Sequence, residues 1–239
     1  MNPTYLAPCL LLAALAVDPN FAPSQDGAKK PATSPARPGK GEGAESKSAS
    51  RPGATAADAR LTKKEREHVL ETLAKAQKET LDAVSGLSDA QWSFKPAPDK
   101  WSVGECVEHL LLIEEKRTPA LESQLKEKPE EGWAAKTTAN TEVLETALVN
   151  RSFKVKALEE FTPAGKLARA EALERYKKAR AKTVELASNA EAPFKSHFAQ
   201  HPFFGALNGY QVVLVIGLHN MRHNQQIAEV MADAGFPKK

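Results

Sequence analysis

The sequence predicts an all-α protein: a four-helix bundle with long crossover connections, preceded by a signal peptide and a disordered linker. Three observations carry this. Helix starts are marked by reciprocal capping signals, apolar residues recur at helical spacing behind those starts, and residues 18–60 lack the large apolar side chains that a core requires.

Thr62 with Glu65, Ser102 with Glu105 and Asn208 with Gln211 each place a cap residue three positions before Glu or Gln, the spacing of a capping box. Thr162-Pro163 marks a further start, with Thr as cap and Pro at the first helical position. Val69, Leu70, Leu73, Ala76, Leu81 and Val84 form one face of the first helix, and Val103, Cys106, Leu110 and Ile113 one face of the second. Ala170, Leu173, Tyr176, Val184 and Leu186 mark the third. The fourth runs from Gly209 to about Ala234 and ends at Gly235. Its β-branched opening, Gln211 to Ile216, would read as a buried strand in isolation, but the Asn208 cap, the length and the continuing period decide for helix. Pro96 and Pro98 lie in the first connection, and a long connection runs from about Lys128 to Phe161.

Ahead of the bundle, Tyr5 to Val17 is an uncharged, mostly apolar run of 13 residues, too short to span a bilayer as a helix. Ala14-Leu15-Ala16 offers a small-x-small cleavage site, so residues 1–17 read as a signal peptide although no Lys or Arg precedes the apolar run. Export to an extracytoplasmic location, periplasmic or secreted, follows; without a functional signal the protein would be cytoplasmic. Too little apolar sequence precedes Cys9 for a lipoprotein signal. Residues 18–60, rich in Pro, Ala, Gly, Ser and Lys, cannot bury enough surface to offset ordering entropy and form the disordered linker. Residues 61–236 form the bundle, and no integral membrane span remains after processing. Cys106 is then the one remaining cysteine, so the fold holds without an intramolecular disulfide.

Charge excludes one class of partner. Residues 1–60 hold seven Lys and Arg against five Asp and Glu, which leaves 26 against 25 in the remainder of a chain whose net charge is +3. With no basic stripe and no interleaved aromatics, nucleic acid is not expected to bind.

The chemistry gathers on three histidines. On the fourth helix Val212, Ile216, His219, His223, Ile227 and Val230 fall on a single stripe, which puts His219 and His223 at core positions on adjacent turns. On the second helix Cys106, His109 and Ile113 align, so His109 faces inward. Two imidazoles from one helix and one from another make a three-nitrogen set with positions left open, as a catalytic metal site requires. A lone core histidine is usually satisfied by a carbonyl, and an H-x-x-x-H pair alone is weak evidence; three inward rings are harder to satisfy in a dry core.

Neighbouring residues carry lesser expectations. Gln226, three after His223, is placed to bond a ligand ring. Glu105 is the weak candidate for a catalytic base, although its capping box already gives it a structural task. Arg222 is expected to point away from the site, into water or to a carboxylate, and Cys106 to be a small buried core residue. His201 belongs to the loop entering the last helix, Trp92 and Trp101 pack the connection over the bundle end, and His68 and His197 are surface residues. Gly217 inside the last helix costs about 1 kcal/mol relative to Ala, which close approach of a neighbouring helix would explain.

Two blocks of sequence resemble a known family. Leu87-Ser88-Asp89-Ala90-Gln91-Trp92, Lys95 to Glu105 and His109-Leu110 look like the first signature of the DinB-like (DinB/YfiT) superfamily of metal-dependent enzymes. His201-Pro202-Phe203-Phe204-Gly205, Tyr210-Gln211 and His219 to Ile227 resemble its last-helix signature, and Phe161-Thr162-Pro163 the start of its third helix. The resemblance covers about residues 61 to 236. It implies a four-helix bundle with long crossovers and a divalent metal held by one histidine of the second helix and two of the last, matching His109, His219 and His223. Imidazole suits Zn, Ni, Fe or Mn, and affinity does not choose among them. Family chemistry further implies a metal-dependent transferase acting with a low-molecular-weight thiol, or a hydrolase. The alternatives are a stress-related, non-catalytic metal or small-ligand binding protein and a tethered interaction module. Expected partners are a small-molecule substrate or thiol and a second copy in a homodimer.

Overall fold

The computed structural model describes residues 54–152 and 154–238. Signal peptide, cleavage site, Cys9 and most of the linker lie outside the described residues. The linker's last residues, 54–60, form turns on the bundle, with Ala59 buried and its carbonyl accepting from Lys195 N at 2.8 Å.

Four long helices make the body: α1 (Lys63–Val84), α3 (Val103–Gln124), α5 (Arg169–Ser188) and α6 (Gly209–Met231). Two short ones, α2 (Asp89–Ser93) and α4 (Thr141–Val149), occupy connections, and a hairpin of β1 (Phe198–His201) and β2 (Gly205–Asn208) leads into α6. All three expected capping boxes form, and Ser88 with Gln91 adds a fourth at α2.

In space α1 packs on α6 and α5, and α3 packs on the same two. The cyclic order is therefore α1, α6, α3, α5. Consecutive α1 and α3 lie diagonally, as do α5 and α6, which explains the long crossovers. The connection between α3 and α5 spends its length on α4, which lies against α6.

Buried apolar side chains fill the bundle on either side of a polar layer. Arg180 and Glu114, 1% and 2% exposed, pair between α5 and α3. The Arg180 guanidinium also donates to Leu73 O at 2.6 Å and Asn220 Oδ1 at 2.9 Å, and Thr183 donates to Glu114. Tyr176 donates to Asn220 Oδ1 at 2.6 Å, while Asn220 Nδ2 reaches Thr80 Oγ1 at 2.9 Å. One network thus joins all four helices. Removing a partner would leave an uncompensated buried charge at a cost of about 3–5 kcal/mol, so the layer fixes helix rotation as well as helix contact.

Several expectations need correction. Thr162-Pro163 does not start a helix: Thr162 closes a 3-10 turn over Glu159–Phe161, and α5 begins at Arg169 with Ala168 as an N-cap that makes no side-chain cap bond. Gly165 takes a left-handed φ of 69°, which breaks any helix begun at Pro163, and the Glu108 carboxylate of α3 accepts from Ala164 N and Gly165 N, each at 2.9 Å, in that loop. On α5 the inward stripe is Ala172, Tyr176, Ala179, Arg180, Thr183 and Ala187, whereas Ala170 is exposed. Two inward polar residues hid that stripe from an apolar count. The last helix stops at Met231 rather than Ala234. His197 is buried, not a surface residue, with Nε2 3.2 Å from Glu127 O, and half-exposed His68 meets Glu145 of α4 at 2.6 Å.

Candidate metal centre

His109 sits two turns into α3, and His219 and His223 stand on adjacent turns of α6. Because α3 packs directly on α6, the three rings meet. His219 Nε2 lies 2.9 Å from His109 Nε2 and 3.1 Å from His223 Nε2, and one nitrogen from each ring falls within 4.8 Å of the other two. His109 and His223 are buried, while His219 keeps partial exposure, so the cluster opens on the His219 side.

Two rings have their tautomer set by the partner of the other nitrogen. His109 Nδ1 lies 2.7 Å from the carbonyl of Phe161, which only accepts, so Nδ1 carries the proton. His223 Nδ1 lies 2.9 Å from Gln226 Oε1, and Arg151 donates to the same oxygen at 3.2 Å. An arginine cannot accept, so the amide presents its oxygen here and His223 Nδ1 is the donor. Both Nε2 lone pairs therefore face His219 Nε2. One proton on His219 cannot satisfy both along good hydrogen-bond lines.

Protonation offers little relief. Burial lowers His109 to about 4, and burial together with the neighbouring rings holds His219 and His223 well below the ordinary histidine range. Two lone pairs turned toward a third imidazole nitrogen, in a site where burial disfavours protonation, make a donor set that could hold a divalent cation. The residues present fit that group.

Trp101 roofs the cluster, its ring 4.8 Å from that of His109 and stacked 5.9 Å from that of His223. Arg151 forms a two-point ion pair with Glu229 of α6 at 2.8 Å while it touches Gln226. Glu105 is turned to other work. Its carboxylate accepts from Ser102 N at 2.7 Å and Lys95 Nζ at 2.8 Å, as a cap and an ion pair. Arg222 donates to the carbonyls of Leu148 and Asn150. Cys106 is fully buried in the core, and burial pushes its thiol up to about 12. His201 ends β1 with its ring 4.9 Å from that of Phe204.

Sequence reading did not find Phe161 O, Arg151 or the stacking of Trp101. Trp101 directly precedes the Ser102 cap, the position from which a staple residue folds back over its helix, and it packs in the same cluster as Cys106 at the fourth helical position. That signal was available. Phe161 acts through its backbone and Arg151 comes from the α4–α5 connection, so neither has one.

The fold and cluster define a four-helix bundle with an interior three-histidine site. The sequence profile of the DinB superfamily matches residues 72–227, and the chain belongs to that family. The uncharacterized protein YuaE of Bacillus subtilis (strain 168) is 29% identical over 157 residues, 65% of this chain and 92% of YuaE. YfiT from Bacillus subtilis, described as a probable metal-dependent hydrolase with an unusual four-helix bundle topology, aligns with a TM-score of 0.50 at 15% identity, over 74% of this chain and 91% of YfiT. At that identity the likeness concerns the fold.

Proposed function

We propose that the protein is a metal-dependent hydrolase in which His109, His219 and His223 hold one divalent ion. The observation that carries this is the convergence of three Nε2 atoms, with Phe161 O and Gln226 Oε1 fixing two of the rings so that their lone pairs point inward. When bound, the ion supplies Lewis acidity that lowers the pKa of water enough for a nucleophile to exist near neutral pH. The chain's own part is to bind and to position. Trp101 covers the buried faces of His109 and His223 against bulk water, and the partial exposure of His219 leaves the approach for substrate. The description of YfiT as a probable metal-dependent hydrolase supports the same reading.

Hydrolysis is preferred to thiol transfer because YfiT is described as a probable hydrolase; the buried Cys106 bears on neither. A transferase would draw its thiol from a second substrate. We also infer export through residues 1–17, which sits poorly with a cytosolic thiol. Among the described residues no helix is long and apolar enough to cross a membrane.

Purified protein should carry close to one divalent metal per chain by elemental analysis, and His109→Ala and His219→Ala should lose it. Turnover of ester or amide substrates should stop on chelation and return when metal is restored. Equal metal content in wild type and both variants would sink the site. Thiol-dependent turnover alone would move the assignment to transfer.

A further inference from the structure

We propose that Arg151 is a positioning residue of the metal centre: through the Gln226 amide it holds His223 in the tautomer whose Nε2 lone pair faces the other rings, and so keeps the metal-free cluster ready for an ion. The inference rests on the metal-centre reading and adds the residue that prepares the site.

The two buried ligand rings are oriented by unlike acceptors. His109 Nδ1 meets the Phe161 carbonyl at 2.7 Å, an oxygen that can only accept and is fixed in the backbone. His223 Nδ1 meets Gln226 at 2.9 Å, and a primary amide presents either its oxygen or its NH2 in nearly the same place after a half-turn. Turned with the NH2 toward the ring, Gln226 would donate to Nδ1. The proton of the neutral imidazole would then sit on Nε2 and point at His219 Nε2, 3.1 Å away. That arrangement would satisfy the metal-free pair and cover the lone pair that an ion needs.

Arg151 forbids the turn. Its guanidinium is set by Glu229, whose two carboxylate oxygens accept from Nε and Nη2 at 2.8 Å each. The same fork leaves Nη1 to donate to Gln226 Oε1 at 3.2 Å. A turned amide would bring its NH2 against Nη1, donor to donor, where the arginine side chain is only 17% exposed and water has little room to separate them. The oxygen therefore stays and accepts from both the ring and the guanidinium. Arg151 and Phe161 both belong to the connection between α4 and α5, so one connection sets the tautomer of both buried ligands.

The test uses the full chain with isotopically labelled histidine, stripped of metal by a chelator and then titrated with zinc against a chromophoric competitor. Two-bond proton–nitrogen correlation spectra of the metal-free protein, with the His223 signals assigned by substitution, should show that ring protonated at Nδ1. In Arg151→Met, which keeps the length and removes the donors, the Nε2-protonated form should appear and zinc affinity should fall about tenfold, within the range for loss of a group that orients a ligand. Adding Gln226→Glu should reverse both changes, because a carboxylate accepts through whichever oxygen faces the ring and needs no guanidinium to turn it. An unchanged tautomer and affinity in Arg151→Met would overturn the proposal. So would a loss that Gln226→Glu fails to restore, which would mean that Arg151 serves only the fold through its pair with Glu229. Absence of zinc binding in the wild type, with the tautomer still governed by Arg151, overturns the metal reading alone and leaves the orienting role standing.

Discussion

Gln226 Oε1 lies 2.9 Å from His223 Nδ1 on the next turn of the same helix, and the arginine that reaches the same oxygen fixes which way the amide faces. The pair converts an ordinary polar helix residue into the device that orients a ring. Arg151 in turn is held by Glu229, so the order of the site runs outward to the bundle surface through one amide.

Gln226→Ala should therefore weaken metal binding by about 10–100-fold, the usual effect of removing a partner that orients a ligand, while the metal-free fold melts close to wild type. Gln226→Glu should keep the affinity or raise it, because a carboxylate accepts from both His223 and Arg151. Competition against a chromophoric chelator measures both variants. Wild-type affinity in Gln226→Ala would show that packing alone holds His223.

Cys106 gives a prediction with a definite pH sign. Burial raises its thiol from 9.0 to about 12, so at pH 8 the thiolate fraction is about one in ten thousand rather than about a tenth. In the folded protein Cys106 should resist iodoacetamide at pH 8, and the urea-unfolded chain should react promptly, as read by the mass of the Cys106 peptide. The linkage runs the same way: above pH 9 the unfolded thiol loses its proton while the folded one keeps it, so stability falls as pH rises from 9 toward 12. Cys106→Ala should lack that component of the alkaline slope. Rapid labelling of the native protein would show that Cys106 is not shielded by the core.

Legibility in the sequence followed the kind of interaction. Capping boxes are local and reciprocal, and Thr62, Ser102 and Asn208 announced their helices correctly. Helical phase placed His109, His219 and His223 on inward faces because a repeat of 3.6 residues is the same in sequence and in space. The α5 stripe was lost because Arg180 and Thr183 occupy core positions and are satisfied by Glu114 on another helix. Likewise Thr162-Pro163 has the composition of a helix start and fails because Gly165 turns left-handed, in a loop whose amides bond to Glu108, 56 residues earlier than Ala164. A pairing between distant residues leaves no local trace in one sequence. The hairpin escaped for a related reason, since its antiparallel partners Phe198 and Asn208 bracket a tip that reads as loop.

Gly217 supplies the last prediction. A Cβ at this position would stand 2.8 Å from Thr72 Cγ2 of α1, so the glycine is there for the close approach of α1 and α6. Alanine would gain about 1 kcal/mol of helix propensity and meet a methyl held by a β-branched side chain whose hydroxyl is bonded to His68 O at 2.8 Å. Overpacking of this kind costs about 1–3 kcal/mol, so Gly217→Ala should be destabilising on balance. Because His219 is two residues on, the shift should also loosen metal binding. Thr72→Ser removes the obstructing methyl and keeps the hydroxyl, so the double variant Gly217→Ala with Thr72→Ser should regain the lost stability and the metal affinity together. Denaturant melts of the four proteins form the cycle that decides it. Additive effects, with no recovery in the double variant, would mean that the contact with Thr72 is not what the glycine serves.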